Sequence, residues 1–149
     1  MKIKKVAELI DGIVPLKLAQ GWDNVGLLVG DASGDVKRIL LTIDVTKDVV
    51  KEAKKQKVEL IVGCLPVVWD GLKEVVADGG GSVVYALARA GISVVSIHTA
   101  LDVAVGGVND GLAEMVGITD GEPIGDYVED TSGDNYKLVV FVPIEDVNL

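Results

Sequence analysis

The sequence predicts an α/β fold in three layers, α/β/α, with a mainly parallel central sheet. Strand and helix patterns alternate along the middle of the chain with short links, which is typical of such sheets. The strand patterns are almost continuously apolar, as expected of parallel strands that are buried on both faces. With 149 residues, 49% of them apolar, the chain is long enough to bury one sizeable core.

The elements follow from spacing and from capping residues. Apolar residues three and four apart predict a first helix over residues 6–14, which Pro15 ends. Thr46 and Ser82 are predicted helix N-caps, and Gly91 is predicted just beyond a helix C-terminus. The remaining elements are a short apolar run at 25–29, strands at 38–45, 58–63 and 92–97, and helices at 47–56, 83–90 and 108–116.

The pattern divides the chain into three parts. Residues 1–119 are predicted to form the α/β domain. Residues 120–135 are acidic and rich in glycine, as expected of a linker or long loop, and residues 136–149 are predicted to form a strand and a tail.

Composition excludes several classes of protein. The net charge of −9 argues against a nucleic-acid-binding surface, which is normally basic. The longest apolar stretch, residues 60–69, is far short of the roughly 20 residues that cross a membrane. The charged, amphipathic N-terminus does not resemble a signal peptide, so we expect a cytoplasmic protein without membrane or nucleic-acid partners. The single cysteine excludes an internal disulfide.

Residues that can ligate metals follow the predicted strands. In open α/β sheets, ligands bind at the carboxyl ends of the strands, where Asp44, Cys64, His98 and Asp102 are expected to lie. Each has a structural alternative. Asp44 and Asp102 are also typical of a helix start or a turn, Cys64 of a small buried side chain, and His98 of a hydrogen-bonded structural residue. The two tryptophans are interpreted as packing residues.

Four motifs in order resemble one known family. They are Trp22-Asp23-Asn24-Val25-Gly26-Leu27, Asp44-Val45-Thr46, His98-Thr99-Ala100-Leu101-Asp102-Val103 and Gly106-Gly107-Val108-Asn109-Asp110. Together they resemble the GTP cyclohydrolase I type 2 homologue family, also called NGG-interacting-factor-like, over residues 1–142. The resemblance implies an α/β/α fold, a toroidal homohexamer and a dinuclear site for zinc, iron or manganese in a metal-dependent hydrolase.

The resemblance also assigns residues. It implies that Asp102 is a metal ligand and that His98, Asp44 and Asp23 line the site. An adjacent pair of histidine ligands is implied at residues 64–65, where this chain has Cys64 followed by leucine. A thiolate can still bind a soft metal such as zinc, whereas leucine cannot. The family's second histidine and its glutamate have no counterpart within these 149 residues.

Three interpretations of function follow. The site could be completed by a second polypeptide; the chain could be a non-catalytic member that keeps the fold for assembly or binding; or it could be part of a longer protein. We favour a member of a metal-dependent hydrolase family that is impaired as given, so its status as an enzyme stays open. Apolar faces left without cover predict self-association into a homo-oligomer.

Overall fold

The structure is a computed structural model that describes residues 1–118. They belong to two compact units, Met1–Leu101 and a second that begins at Asp102. The predicted linker at 120–135 and the predicted strand and tail at 136–149 lie outside the described residues, so the division at residue 119 stays a prediction. Within residues 1–118, no helix is long and apolar enough to cross a membrane.

Five α-helices, four strands and a short 3-10 helix are formed by the described residues. The helices are α1 (Ile3–Ile13), α2 (Lys47–Gln56), α3 (Ser82–Ala90), α4 (His98–Val103) and α5 (Val108–Met115), with the 3-10 helix at Leu16–Leu18. The strands are β1 (Gly26–Val29), β2 (Ile39–Thr42), β3 (Leu60–Gly63) and β4 (Ser93–Ser96).

The sheet has the strand order β1-β4-β3-β2. Strands β2, β3 and β4 are parallel to their neighbours, while β1 runs antiparallel to β4. The central strands β3 and β4 are buried along their whole length. The predicted mainly parallel sheet is therefore confirmed.

Two apolar clusters cover the two faces of the sheet. On one face, Ile61 and Val94 pack with Val50 of α2 and Leu87 of α3. On the other, the side chains of β3 and β4 pack against α1. The residues of this second cluster are Ile3, Val6, Val36, Leu60, Val62 and Val95. Helices thus lie on both faces, and the predicted three-layer arrangement is confirmed.

Capping explains where two of the helices begin and end. The Thr46 hydroxyl accepts a hydrogen bond from the Val49 amide at 3.3 Å, as predicted for the N-cap of α2. Gly91 ends α3 with a φ of 65°, which glycine adopts without a steric penalty. The prediction that Ser82 caps α3 is wrong, because Gly81 is the N-cap and Ser82 is already helical and buried.

The strand predicted over residues 38–45 was expected to be buried on both faces, and this is wrong. Among the strands of residues 1–118, β2 lies at an edge of the sheet, and 76% of Leu41 and 74% of Ile43 are exposed. The sequence pattern predicts no helix around Asp102, but this residue belongs to α4. The start of this helix is capped by the side chain of a residue that is distant in the sequence and belongs to the candidate site.

Candidate functional site

The carboxyl ends of the three parallel strands meet around Cys64. The Cys64 amide donates to the carbonyl of Thr42, the last residue of β2, at 3.0 Å. The Cys64 carbonyl accepts from the His98 amide at 3.0 Å and from the Ser96 hydroxyl at 2.9 Å, both at the end of β4. The structure therefore brings Cys64 and His98 to one edge of the sheet, as their positions in the sequence predict.

A buried carboxylate holds the only histidine of the chain. His98 Nδ1 lies 3.0 Å from both oxygens of Asp23, whose side chain is fully buried, while 15% of the His98 side chain is exposed. An ionised carboxylate only accepts hydrogen bonds, so Nδ1 must carry the proton. In the neutral ring Nε2 is then left with its lone pair for a ligand or a proton.

Asp23 also explains why α4 begins at His98. Its carboxylate accepts hydrogen bonds from the Thr99 amide at 3.0 Å, from the Thr99 hydroxyl and from the Asn24 amide at 2.8 Å. An acceptor at the first turn satisfies an amide that the helix itself leaves unpaired, and negative charge is favourable there. With His98, four donors occupy the roughly four acceptor sites of this carboxylate.

These contacts also lower the pKa of Asp23. Burial of the carboxyl favours the neutral form and acts to raise the pKa. The hydrogen bonds from Thr99, His98 and the Asn24 amide favour the ionised form and outweigh burial, so the pKa of Asp23 lies below its usual value. Asp23 is thus ionised at neutral pH, where it orients His98.

Two tryptophans flank the imidazole. The ring of Trp69 meets His98 edge-on at a centroid distance of 5.0 Å, and the ring of Trp22 does so at 6.2 Å. Both indoles remain largely in solvent, with 67% of Trp22 and 51% of Trp69 exposed. The interpretation of the tryptophans as packing residues is therefore incomplete, because both indoles also border the imidazole of His98.

Two further hydrogen bonds connect the Trp22 segment, one to the Trp69 segment and one to α4. The Asn24 side-chain amide donates to the Val68 carbonyl at 2.7 Å, next to Trp69. The Gln20 amide donates to the Thr99 hydroxyl at 2.9 Å. Sequence reasoning missed Asn24 and Thr99 as parts of the site, although both belong to motifs that carry the family resemblance.

The other two predicted site residues are Asp44, which makes no hydrogen bond or ion pair with His98 among the described residues, and Asp102, which belongs to the second unit. Asp44 follows β2 at the same end of the sheet and is exposed, and within residues 1–118 no hydrogen bond or ion pair joins its side chain to His98. Asp102 is the fifth residue of α4 and the first of the second unit. The roles of Asp44 and Asp102, like those of Asp23, Cys64 and His98, stay predictions.

The fold and this edge define a class of protein: an open α/β sheet with metal-ligand residue types at its carboxyl end. A sequence profile of Duf34/NIF3 (NGG1p interacting factor 3) matches residues 1–147, and the chain belongs to this family. A Staphylococcus epidermidis protein named GTP cyclohydrolase 1 type 2 homolog is 38% identical over 143 residues, covering 96% of this chain and 38% of the relative. The family resemblance of the motifs is thereby confirmed.

Solved structures show the same fold. The Staphylococcus aureus protein SA1388 is 37% identical with a TM-score of 0.75, covering 80% of this chain and 39% of that one. Reduced HcgD from Methanocaldococcus jannaschii is 31% identical with a TM-score of 0.78, covering 85% and 51%. The chain spans about two-fifths of the length of the first curated relatives that it matches.

The family is generally associated with metals, so the donors at this edge can be compared with a metal site. Asp23 is saturated by hydrogen bonds, and the residue after Cys64 is leucine, which has no donor atom. Within the described part of the chain, no three His, Cys, Asp or Glu side chains are grouped to hold a metal ion. The described residues therefore do not fit a dinuclear metal centre.

Proposed function

We propose that this chain is a Duf34/NIF3 member impaired in metal-dependent hydrolysis, whose sheet edge serves to bind a ligand. One observation carries the proposal. The chain has Leu65 where the family resemblance implies a metal ligand, yet the Asp23–His98 pair beside it is fully formed. A site that loses a ligand while it keeps an oriented imidazole retains a binding surface without its metal chemistry.

The chain's own residues supply three properties to such a site. Asp23 fixes the proton of His98 on Nδ1, so Nε2 can accept one hydrogen bond from a ligand. The indoles of Trp22 and Trp69 lie next to the same imidazole, and indoles pack well against planar rings. The site therefore suits a planar, polar ligand such as a nucleobase.

The proposal is tested first by metal content and hydrolysis. The purified chain is loaded with zinc, iron or manganese, dialysed, assayed for bound metal and then incubated with GTP, which the name of its relatives suggests. We expect far less than stoichiometric metal and no metal-dependent hydrolysis. Stoichiometric metal together with hydrolysis in the unmodified chain would contradict the proposal.

A paired set of variants makes this result specific. The double substitution Cys64→His, Leu65→His restores the adjacent histidines that the family resemblance implies, and it should raise metal retention. Leu65→Ala removes the same side chain without adding a ligand, and it should leave metal retention unchanged. Equal metal retention in all three proteins would show that residue 65 is not what limits the site.

Ligand binding is tested with GTP as the probe. Both tryptophans border His98, so binding should change their fluorescence, and His98→Ala should weaken binding about tenfold by removing one hydrogen-bonding ring. Asp35→Asn, a change at an exposed ion pair with Lys2, serves as the control and should bind as the parent does. Equal affinity of the parent and His98→Ala would contradict a role for His98.

A further inference from the structure

The orientation of the Asn24 side-chain amide is set by one backbone carbonyl. Its NH₂ group donates to the Val68 carbonyl at 2.7 Å. The opposite orientation would set two acceptors against each other, so the nitrogen must face Val68 and Oδ1 must be the other end of the amide. Asn24 Oδ1 is therefore an acceptor that the Val68 carbonyl leaves unused.

Two acceptor atoms of the candidate site can be reached from solvent. Asn24 Oδ1 accepts no hydrogen bond from the residues that the structure describes, and the contacts of His98 with Asp23 use only Nδ1 and leave Nε2 open. Within residues 1–118, every buried side-chain nitrogen or oxygen has a hydrogen-bond partner. Asn24 and His98 are both partly buried, so their two atoms without a partner must lie at the surface.

Both residues are anchored on one oxygen atom. Asp23 Oδ1 accepts a hydrogen bond from the Asn24 backbone amide at 2.8 Å and lies 3.0 Å from His98 Nδ1. The Val68 carbonyl that holds the Asn24 side chain directly precedes Trp69, whose ring borders His98. The amide of Asn24, the imidazole and the indole of Trp69 are thus joined by one connected set of contacts.

The hydrogen-bonding character of these two atoms constrains the ligand. Asp23 fixes the proton of His98 on Nδ1, so Nε2 of the neutral ring offers a lone pair, and the amide oxygen of Asn24 carries no hydrogen. A planar ring satisfies both atoms when its edge carries two neighbouring N–H donors, such as a ring N–H beside an exocyclic amino group. A ring with a bare nitrogen at that edge sets acceptor against acceptor.

The charge of this edge constrains the ligand further. The segments that follow the parallel strands or adjoin the Asp23–His98 pair contain three aspartates and no lysine or arginine. They are residues 20–25, 42–46, 63–70 and 96–101. Asp23 is ionised at neutral pH, and Asp44 and Asp70 are exposed. Phosphate groups are typically bound by arginine or lysine, so a ligand without phosphate suits this edge better than a nucleotide.

We propose that this edge selects planar ligands without phosphate that present two neighbouring N–H donors, which Asn24 Oδ1 and His98 Nε2 accept. The inference rests on the proposed function, because it names the chemistry of the ligand at the same site. Asn24 is then a specificity-determining residue: its oxygen distinguishes a ring that carries the second donor from a ring that lacks it.

The first experiment compares four compounds by calorimetry with the 149-residue chain, in a chelator so that no metal contributes. Guanosine has both donors, inosine lacks the exocyclic amino group, and adenosine has a bare ring nitrogen beside its amino group. One hydrogen bond changes affinity about fivefold, so guanosine should bind about fivefold more tightly than inosine and by a larger factor than adenosine. GTP should bind more weakly than guanosine, and added salt should narrow that difference because it screens the repulsion between charges.

The second experiment separates the acceptor of Asn24 from its structural contact. Asn24→Ala removes both the oxygen and the hydrogen bond to the Val68 carbonyl, whereas Asn24→Asp loses that hydrogen bond but keeps an acceptor oxygen. The preference for guanosine over inosine should disappear in Asn24→Ala and persist in Asn24→Asp. A merely structural role would weaken both compounds equally and leave their ratio unchanged. Circular dichroism checks the fold, and Asp35→Asn serves as the control with the ratio of the parent.

Each outcome decides the inference. A preference for guanosine that Asn24→Ala abolishes and Asn24→Asp keeps supports it. Equal affinity of the parent for guanosine, inosine and adenosine would overturn it and leave the proposed binding function intact. GTP binding at least as tight as that of guanosine would also overturn it, and would indicate that a lysine such as Lys47, at the start of α2, contacts the phosphates. Binding of none of the four compounds would overturn both the inference and the binding function.

Discussion

Replacing Asp23 by asparagine removes a charge from the centre of the site while keeping the size of the side chain. Asp23 accepts hydrogen bonds from the Thr99 amide and hydroxyl, the Asn24 amide and His98 Nδ1. In asparagine one oxygen becomes an NH₂ group, which donates and cannot accept. Either orientation of the amide therefore leaves one of the two backbone amides facing a donor.

The magnitude follows from this count of hydrogen bonds. A buried backbone N–H without an acceptor costs about 1–3 kcal/mol, and a hydrogen bond to a charged group contributes about 1.5–3 kcal/mol. The Asp23 side chain is fully buried, so water does not replace the lost contacts. We expect Asp23→Asn to lower the free energy of unfolding by about 3 kcal/mol.

Urea unfolding followed by tryptophan fluorescence measures this change, because both tryptophans of the chain border the site. A nuclear magnetic resonance spectrum of the imidazole adds a second readout, and it is unambiguous because His98 is the only histidine. In the parent protein at alkaline pH the proton should reside on Nδ1. In Asp23→Asn this preference should be lost.

Asp35→Asn is the control, because the ion pair of Asp35 with Lys2 joins side chains that are 70% and 58% exposed. Exposed ion pairs contribute little to stability because solvent screens them, so this variant should be nearly as stable as the parent. A loss below about 0.5 kcal/mol in Asp23→Asn, or a proton found on Nε2 in the parent, would refute the hydrogen-bond network as the cause of stability at this edge.

Two further predictions concern pH and the core. The pKa of Asp23 is lower in the folded chain than in the unfolded chain, so its contribution to stability is complete above the ordinary value of about 3.9 and is lost as the pH falls through the folded pKa. Between about pH 5 and pH 2, the free energy of unfolding should therefore fall more steeply with decreasing pH for the parent than for Asp23→Asn. Leu87 is fully buried in the cluster around α2 and α3, so Leu87→Ala should lower the free energy of unfolding in urea by about 3 kcal/mol. Leu112 is half-exposed, so Leu112→Ala should lower it by about 1 kcal/mol or less.

These two predictions have clear contrary results. Identical pH profiles for the parent and Asp23→Asn would mean that Asp23 does not titrate differently in the folded and unfolded chains. Equal losses for Leu87→Ala and Leu112→Ala would mean that the cluster around α2 and α3 does not carry the stability of the sheet.

The fold could be predicted because local patterns agree with the tertiary structure at most elements. Several features act within a few residues of the chain. They are the hydroxyl of Thr46, the missing side chain of Gly91 and the apolar runs at β3 and β4. The error at β2 has a different origin. A nearly continuous apolar run indicates burial on both faces only if the strand lies inside the sheet, and strand order is not encoded in one segment.

The site could be predicted in part for the same reason. The rule that ligands bind at the carboxyl ends of strands places Cys64 and His98 together, and the backbone contacts between them follow directly from the parallel register. The rule says nothing about Asp23, which reaches His98 from 75 residues earlier in the chain. Nor does it predict α4, whose first turn is capped by that same carboxylate.

The helix and the site therefore depend on one distant residue. Without the Asp23 carboxylate, the Thr99 amide has no acceptor at the start of α4, and His98 loses the contact that sets its tautomer. The two motifs around Asp23 and around His98, which carry part of the family resemblance, are far apart in the sequence. Each motif is chemically incomplete until the fold brings the Asp23 carboxylate to the imidazole of His98 and to the Thr99 amide.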